Sequence, residues 1–231
     1  MLVLKEISKL YTPTSGISEI TISIPHGKTV SFIGPNGAGK TTLFNILGRI
    51  SKADTGTCSL DGVEIDSLHI SEISYLPQNM YLIEDFTPMQ MIYFFNTMKE
   101  INTVDADIHE LICRLGIEPF MYKKIRKLSS GMRKRVELAC SMLGNPKLLV
   151  LDEPLNALDI QGSLVFKDML KDWNRRGAIV LLSSPILGFL DSCVDQVVFL
   201  KQGKILEVYS NENTSNVPEQ IENLYRRHFA L

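Results

Sequence analysis

Apolar and polar residues follow two different spacings along the chain, and this pattern predicts a mixed α/β protein. Residues 20–24 alternate isoleucine with polar side chains, as expected of a strand with one buried face. Residues 148–151 and 179–182 are continuous apolar runs, which are typical of parallel strands buried on both faces. Residues 108–115 carry apolar side chains at the spacing of one helix face. Strands are therefore expected early in the chain and again from residue 148.

Turn and capping residues set the boundaries of these elements. Asp61-Gly62 lies between two short strand-like runs and predicts a hairpin. Thr87, followed by Pro88 and Gln90, predicts the start of a helix, because threonine and glutamine at this spacing form a capping box. From these signals we expect a helical insertion between two blocks of strands.

Three segments describe the expected domain organisation. Residues 1–210 would form one domain, with a helical subdomain at about 80–147. Residues 211–231 would be a polar connector followed by a short amphipathic helix that begins near Pro218. The sequence contains neither an internal repeat nor a low-complexity tract.

Composition narrows the class of protein further. The 231 residues are 45% hydrophobic and carry a formal net charge of −2, so bulk charge gives no reason to expect nucleic acid as a partner. Four widely spaced cysteines favour buried thiols over a disulfide framework or a zinc site. We see no signal peptide and no run of about 20 apolar residues. We therefore expect a cytoplasmic protein, or one that reaches a membrane through a partner.

The stretch with the most specific chemistry follows the apolar run at 29–33. It fits G-x-x-x-x-G-K-S/T and consists of Gly34, Pro35, Asn36, Gly37, Ala38, Gly39, Lys40, Thr41 and Thr42. Backbone N–H groups of such a loop converge on phosphate oxygens, and the helix that follows presents its positive end. Lys40 would reach the β- and γ-phosphates, and the Thr41 hydroxyl would hold Mg²⁺. The alternative is a glycine-rich turn without a ligand, but the flanking strand and helix favour a nucleoside triphosphate site.

A second group of candidate residues ends the buried run at 148–151. Asp152 would enter the Mg²⁺ shell, and Glu153 could polarise an attacking water. The alternative for two acids after a strand is a helix N-cap. The phosphate loop in the same chain favours catalysis.

With one more motif, residues 128–132, the chain resembles the nucleotide-binding domain of ABC transporters over about residues 1–210. The resemblance depends on several motifs in the family's order, and it is specific as a set. The motifs are the phosphate loop, Gln78 at the Q-loop position, the signature at 128–132, Walker B at 148–154 and the D-loop at 156–159. It implies an α/β fold: a P-loop NTPase core, an N-terminal antiparallel β subdomain and an inserted helical subdomain.

The resemblance also implies roles for single residues. Tyr11 would stack on adenine, although it could instead be a core residue at a strand end. Gln78 would contact Mg²⁺ and the attacking water and would couple the site to the helical subdomain. Ser129 and Gly131 would contact the γ-phosphate of ATP bound to a second copy, which implies a head-to-tail dimer, either homodimer or heterodimer. The expected catalytic residues are thus Glu153, Lys40 and Gln78.

Seven basic residues surround the signature motif. They are Lys123, Lys124, Arg126, Lys127, Arg133, Lys134 and Arg135. They could favour docking near ATP, but we expect a solvated charged face.

The chain departs from the family pattern at three positions. Ser130 replaces the usual glycine, and Met132 resembles the branch that exports drugs, antibiotics and peptides. Pro185 replaces the histidine that would contact the γ-phosphate, and such a loss could lower turnover ~100-fold. Either Ser183 or Ser184 partly substitutes, or a partner chain supplies the histidine.

These observations lead to one leading hypothesis and two alternatives. The chain is expected to bind and hydrolyse ATP with Mg²⁺ as the ATPase subunit of an ABC exporter. It would lie on the cytoplasmic face of the membrane, held there by separate permease subunits, with no nucleic-acid partner. The alternatives are a soluble ABC ATPase of a non-transport machine and a low-turnover, nucleotide-responsive subunit.

Overall fold

A computed structural model describes residues 1–13, 15–101, 103–183, 193–211 and 217–229. Within these ranges the chain forms ten strands and six α-helices. The strands are β1 (Leu2–Thr12), β2 (Ser15–Ile24), β3 (Thr29–Ile33), β4 (Thr55–Leu60), β5 (Val63–Glu64), β6 (Ile73–Leu76), β7 (Leu148–Leu151), β8 (Ile179–Ser183), β9 (Gln196–Lys201) and β10 (Lys204–Ser210). The helices are α1 (Lys40–Leu47), α2 (Pro88–Met98), α3 (Asp105–Arg114), α4 (Ser130–Ser141), α5 (Ile160–Arg175) and α6 (Val217–Phe229).

The strands form two sheets. The N-terminal sheet is antiparallel, with the order β2-β1-β4-β5, as the family resemblance implied. The second sheet has the order β10-β9-β3-β8-β7-β6, and all of its neighbouring strands are parallel except β10 and β9. Helices lie in the connections from β3 to β6, from β6 to β7 and from β7 to β8, because parallel neighbours need long crossover connections.

The parallel sheet is buried on both faces, which explains its continuous apolar strands. Successive residues of β7 and β8 belong alternately to two separate hydrophobic clusters. Leu149 and Val180 pack with the helices of the second half of the chain, whereas Leu148 and Ile179 pack against α1 and the N-terminal sheet. A polar side chain at the end of such a strand must therefore find a partner inside the protein.

Local signals predicted several boundaries correctly. Asp61 and Gly62 both have positive φ angles, +55° and +81°, in the hairpin between β4 and β5. The Thr87 hydroxyl caps α2, and the Gln90 side chain completes the capping box. The three helices α2, α3 and α4 lie between β6 and β7, where helices were expected. Whether they form a separate subdomain stays a prediction.

The C-terminal helix α6 packs on the outer strands of the parallel sheet. The Lys201 ammonium of β9 donates a hydrogen bond to the His228 carbonyl at 2.8 Å, and Ile221 is buried in the core. Across the described ranges, no helix combines the length and apolarity needed to cross a membrane.

A half-buried lysine joins α2 to the parallel sheet. The Lys99 ammonium, at the end of α2, donates hydrogen bonds to the Ser74 hydroxyl of β6 at 3.0 Å and to the Cys140 carbonyl of α4 at 3.2 Å. Burial lowers the pKa of Lys99 from 10.5 to about 8. Between these two values the folded chain therefore binds fewer protons than the unfolded chain, and stability rises with pH across that window.

We expect Lys99→Met to remove this pH dependence. The free energy of unfolding of the parent chain should increase between pH 8 and pH 10.5, by up to about 3 kcal/mol relative to the variant. Urea unfolding of both chains at several pH values measures the difference. Parallel stability curves would contradict the assignment.

Candidate nucleotide-binding site

The candidate residues meet at one edge of the parallel sheet. Because β3, β6, β7 and β8 run parallel, the residues that follow them lie side by side at their carboxyl ends, where α/β sheets bind ligands. The loop at 34–39 follows β3, Gln78 follows β6, and Asp152 and Glu153 follow β7. Ser183 is the last residue of β8.

Lys40 closes the phosphate loop from inside. Its ammonium donates hydrogen bonds to the carbonyl oxygens of Gly34 at 2.7 Å and Pro35 at 3.2 Å. Burial lowers the pKa of Lys40, and the negative charges of Asp152 and Glu153 act in the opposite direction. The cation thus lies between the loop and the two acids, where a phosphate oxygen could compete for its hydrogen bonds.

Glycine is needed at the three positions of the loop for different physical reasons. A Cβ on Gly34 would lie 2.1 Å from the Leu200 carbonyl, and one on Gly39 would lie 2.6 Å from Ile17 Cγ2. These two glycines let the loop pack against β9 and β2. Gly37 has a φ of +78° and open space where a Cβ would lie. Of the three glycines, only Gly37 borders open space in this way.

The remaining loop residues form an exposed rim and a fixed base. Pro35 and Asn36 are exposed, whereas Ala38 is buried and its carbonyl accepts a hydrogen bond from Gly203 N at 2.9 Å. Thr42 lies half-buried in the first turn of α1. The exposed rim leaves backbone N–H groups open to a phosphate, so the cradle fits a nucleotide.

Thr41 and Asp152 are brought together across the sheet. The Thr41 hydroxyl donates to Asp152 Oδ2 at 2.8 Å, and the Ser183 hydroxyl donates to Asp152 Oδ1 at 2.6 Å. Asp152 is 1% exposed. A carboxylate and a hydroxyl are hard oxygen ligands of the kind that Mg²⁺ prefers, so this donor set fits Mg²⁺.

Glu153 is held by neighbours from two motifs. Its Oε2 accepts hydrogen bonds from Gln78 Nε2 at 3.0 Å and from Asn156 Nδ2. Its φ of +50° is in the left-handed region, which residues other than glycine seldom adopt. From the sequence, Asn156 was placed in the D-loop motif, and its contact with Glu153 was not predicted. Its position three residues after Glu153 was the available signal.

The signature residues lie at the start of α4. The Ser129 hydroxyl accepts a hydrogen bond from Met132 N at 3.3 Å, and a Cβ on Gly131 would lie 2.9 Å from the Ala157 carbonyl. Among the hydrogen bonds of the described residues, none joins Ser129 or Gly131 to the phosphate loop of the same chain. Both residues thus lie at the N-terminal end of α4, and Gly131 lies next to the D-loop residue Ala157.

Tyr11 lies at the end of β1 and is 56% exposed. The alternative of a core residue is therefore wrong. A cavity of about 360 Å³ opens next to it, lined in part by Leu10, Ile17 and Lys204. A larger cavity of about 520 Å³ between α3 and α5 contains none of the candidate residues, so size alone does not locate the site.

An ion pair joins the segment after Gln78 to the signature helix, and we call it the Glu84–Arg133 clamp. Both guanidinium nitrogens of Arg133 contact the Glu84 carboxylate, at 2.6 and 2.8 Å. Backbone hydrogen bonds reinforce it, from Ile125 N to the Phe86 carbonyl and from Arg126 N to the Glu84 carbonyl. The segment that follows Gln78 is thereby tied to the helix that begins after Ser129.

The clamp also corrects the prediction of a solvated charged face. Arg133 pairs with Glu84, Arg135 with Asp159, and Lys134 with Glu137. Lys134 is only 5% exposed. The prediction of a solvated face is therefore wrong for Lys134. Arg133 and Arg135 are half-buried, and the four basic residues before the signature are exposed, as predicted. Ser184 and Pro185, the residues that raised the question of the missing histidine, lie outside the described residues.

Comparisons with known sequences agree on one family. The profile of the ABC transporter family matches residues 17–156. The lantibiotic transport ATP-binding protein SrtF of Streptococcus pyogenes is 27% identical over 223 residues, which are 96% of each chain. The uncharacterised ABC transporter ATP-binding protein YhcH of Bacillus subtilis is 31% identical over 95% of this chain and 72% of its own.

Solved structures share the fold. An ATP-binding subunit of an ABC transporter superposes with a TM-score of 0.83 at 23% identity and covers 100% of this chain and 94% of its own. A dimeric, post-hydrolysis structure of the ATP-binding cassette MJ0796 bound to ADP and Pi gives a TM-score of 0.81 at 23% identity, covering 92% and 99%. At this level of identity the likeness concerns the fold.

Proposed function

The chain belongs to the ABC transporter family and is an ATPase of that family, and we propose that it is the nucleotide-binding subunit of an exporter that drives separate membrane-spanning chains. The observation that carries this proposal is the convergence of Lys40, Thr41, Asp152, Glu153 and Gln78 at one edge of the sheet. They come from three motifs, the phosphate loop, the Q-loop position and Walker B, and together they supply a cation, a proposed metal site and a proposed general base for phosphoryl transfer to water.

Binding of the nucleotide would use the backbone first. The backbone N–H groups of residues 36–39 and the Lys40 ammonium would hold the phosphate oxygens, and the exposed ring of Tyr11 would stack on the base. Thr41 and Asp152 would hold Mg²⁺, which when bound neutralises charge on the phosphates. Ala38 keeps the loop fixed to the β9–β10 turn during these steps, through its bond to Gly203.

Hydrolysis would use Glu153 as the proton acceptor for the attacking water. The amide groups of Gln78 and Asn156 contact the Glu153 carboxylate and restrict where it points. A carboxylate that is already oriented needs less reorganisation when a water molecule arrives. The geometry therefore supports turnover, and the neighbours of Glu153 would set its rate.

We assign Ser129 and Gly131 to the ATP of a second subunit. In this arrangement two chains bind head to tail, and each nucleotide lies between the phosphate loop of one chain and the signature of the other. Among the described residues, Ser129 and Gly131 make no hydrogen bond with the phosphate loop of their own chain, which favours this arrangement. The dimeric form of the structural relative MJ0796 is consistent with it.

Export is the finer part of the proposal. It is supported by Met132 in the signature and by the likeness to SrtF, whose name describes lantibiotic transport. A peptide or drug would then be the cargo, and the membrane chains would select it.

Purification from native membranes tests the membrane partnership. A tagged chain extracted in mild detergent with Mg²⁺ and ATP should carry a polytopic membrane protein in stoichiometric amount. Recovery of the chain only in a complex without a membrane protein would contradict the transporter proposal and favour a soluble machine. A complex that binds ATP without measurable turnover would favour a nucleotide-responsive subunit.

A further inference from the structure

Ser183 is a buried hydroxyl at the end of an otherwise apolar strand. Residues 179–182 of β8 are isoleucine, valine and two leucines, and Ser183 itself is 0% exposed. A buried hydroxyl is unfavourable unless it is hydrogen-bonded. The partners of this side chain therefore indicate why the strand ends in serine.

The hydroxyl of Ser183 bridges the two acids of the site. It donates to Asp152 Oδ1 at 2.6 Å and accepts from the backbone N–H of Glu153 at 2.8 Å. Thr41 donates to the other oxygen of Asp152. The carboxylate of Asp152 is thus held at both oxygens by hydroxyl groups from α1 and β8, which fixes its rotation.

The second contact fixes the backbone of Glu153. This residue has a φ of +50°, a conformation that must be stabilised by its surroundings in a non-glycine residue. The hydrogen bond from its N–H to Ser183 supplies part of that stabilisation. One hydroxyl thereby sets the position of the proposed Mg²⁺ ligand and of the proposed general base.

We propose that Ser183 is a positioning residue for ATP hydrolysis, which aligns Asp152 and Glu153 with each other. The inference rests on the proposed function. It also bears on the alternative that Ser183 substitutes for the missing histidine. The single hydroxyl hydrogen of Ser183 is donated to Asp152, so it is not directed at a phosphate. Ser183 acts on the carboxylates, and it is not the donor that replaces the histidine.

Ser31 provides a matched control. It is also 0% exposed and lies on β3, the strand next to β8, where it pairs in register with Leu182. Within the described part of the chain its hydroxyl has no hydrogen-bond partner. Replacing Ser31 by alanine removes the same atom from the same sheet without freeing a polar group.

The experiment compares Ser183→Ala with Ser31→Ala in the full chain. We expect Ser183→Ala to lower kcat about 10- to 100-fold with little change in KM for ATP, because misplaced catalytic groups lower the rate more than the binding. Ser31→Ala should keep the parent kcat. Ser183→Thr retains the hydroxyl and should recover most of the activity, and Ser183→Cys, which is closer in volume, should fall between alanine and serine.

A second readout does not depend on turnover. The Mg²⁺ concentration that supports half-maximal binding of a fluorescent ATP analogue should rise in Ser183→Ala and stay unchanged in Ser31→Ala. A merely structural role would lower the thermal unfolding midpoint without moving this Mg²⁺ dependence. Thermal unfolding of each variant is measured in parallel.

Two results would overturn the inference. The first is a kcat for Ser183→Ala within about twofold of that for Ser31→Ala, which is too small a change for a positioning role. The second is an unchanged Mg²⁺ dependence of binding. Failure of the proposed function is a separate outcome, since it shows in the parent chain as turnover that does not depend on Glu153, and the binding readout then still decides the role of Ser183.

Discussion

Replacing Glu153 by glutamine is expected to lower ATP turnover by roughly 10²- to 10⁴-fold, the range for loss of a general base, while nucleotide binding is retained. Glutamine has the same size but cannot accept the proton of the attacking water. The contacts of Glu153 with Gln78 and Asn156 place the carboxylate beside the phosphate loop, where that water would lie. Steady-state phosphate release and binding of a fluorescent ATP analogue separate the two effects.

A control variant makes the same glutamate-to-glutamine change at a position away from the site. Glu64→Gln alters an exposed residue of β5 in the N-terminal sheet and should leave turnover unchanged. If Glu153→Gln and the parent chain release phosphate at equal rates while both bind ATP, Glu153 is not the base. The low-turnover alternative would then account better for the chain.

Replacing Lys40 by alanine should weaken ATP binding roughly 10- to 100-fold, which corresponds to the loss of hydrogen bonds from a charged group. In the structure the ammonium contacts only carbonyl oxygens of the loop itself, at Gly34 and Pro35, and is close to two acids. Its removal therefore takes away the one side-chain cation of the loop without disturbing the core. Lys5→Ala, on the exposed side of β1, is the control and should bind normally.

Mixing variants extends this result to the proposed dimer. Lys40→Ala and Gly131→Asp should each be inactive alone, the first in the loop and the second in the signature. If each site is shared between two chains, an equal mixture forms some dimers with one intact site and should recover roughly a quarter of the parent turnover. A mixture that stays inactive, although both variants are folded and dimerise with the parent chain, would argue for a site within one chain.

Features set by neighbouring residues were accessible from the sequence. The Asp61-Gly62 hairpin and the Thr87 cap depend on contacts within a few positions, and the buried strand β7 is recognisable as a continuous apolar run. The structure confirms all three. The contact between Thr41 and Asp152 spans 111 positions. The sequence nevertheless predicted that both residues bind Mg²⁺, because acids that follow a buried strand are typical partners of a phosphate loop, and the family's order of motifs agrees with this.

Features set by side-chain partners were not accessible. Nothing in the sequence indicates that Ser183 bridges Asp152 and Glu153, since this depends on the register of β7 against β8 and on a single rotamer. Lys134 was expected to be solvated because it stands among basic residues. Its burial follows from the face that α4 turns towards the core and from the carboxylate of Glu137. A charge run in a sequence carries no information on which of its members face inward.

The Glu84–Arg133 clamp and the Thr41–Asp152 contact differ in their expected sensitivity to salt. Its side chains are 32% and 48% exposed, so dissolved ions can screen the attraction between them. The Thr41–Asp152 contact joins a neutral hydroxyl to a carboxylate that is 1% exposed, so it depends less on the attraction between two charges that dissolved ions screen. Rising ionic strength would therefore weaken the link between the segment after Gln78 and the signature helix, while the Thr41–Asp152 contact stays intact. In such a subunit the geometry of the nucleotide site would not change with ionic strength, whereas the coupling of that site to a neighbouring subunit would.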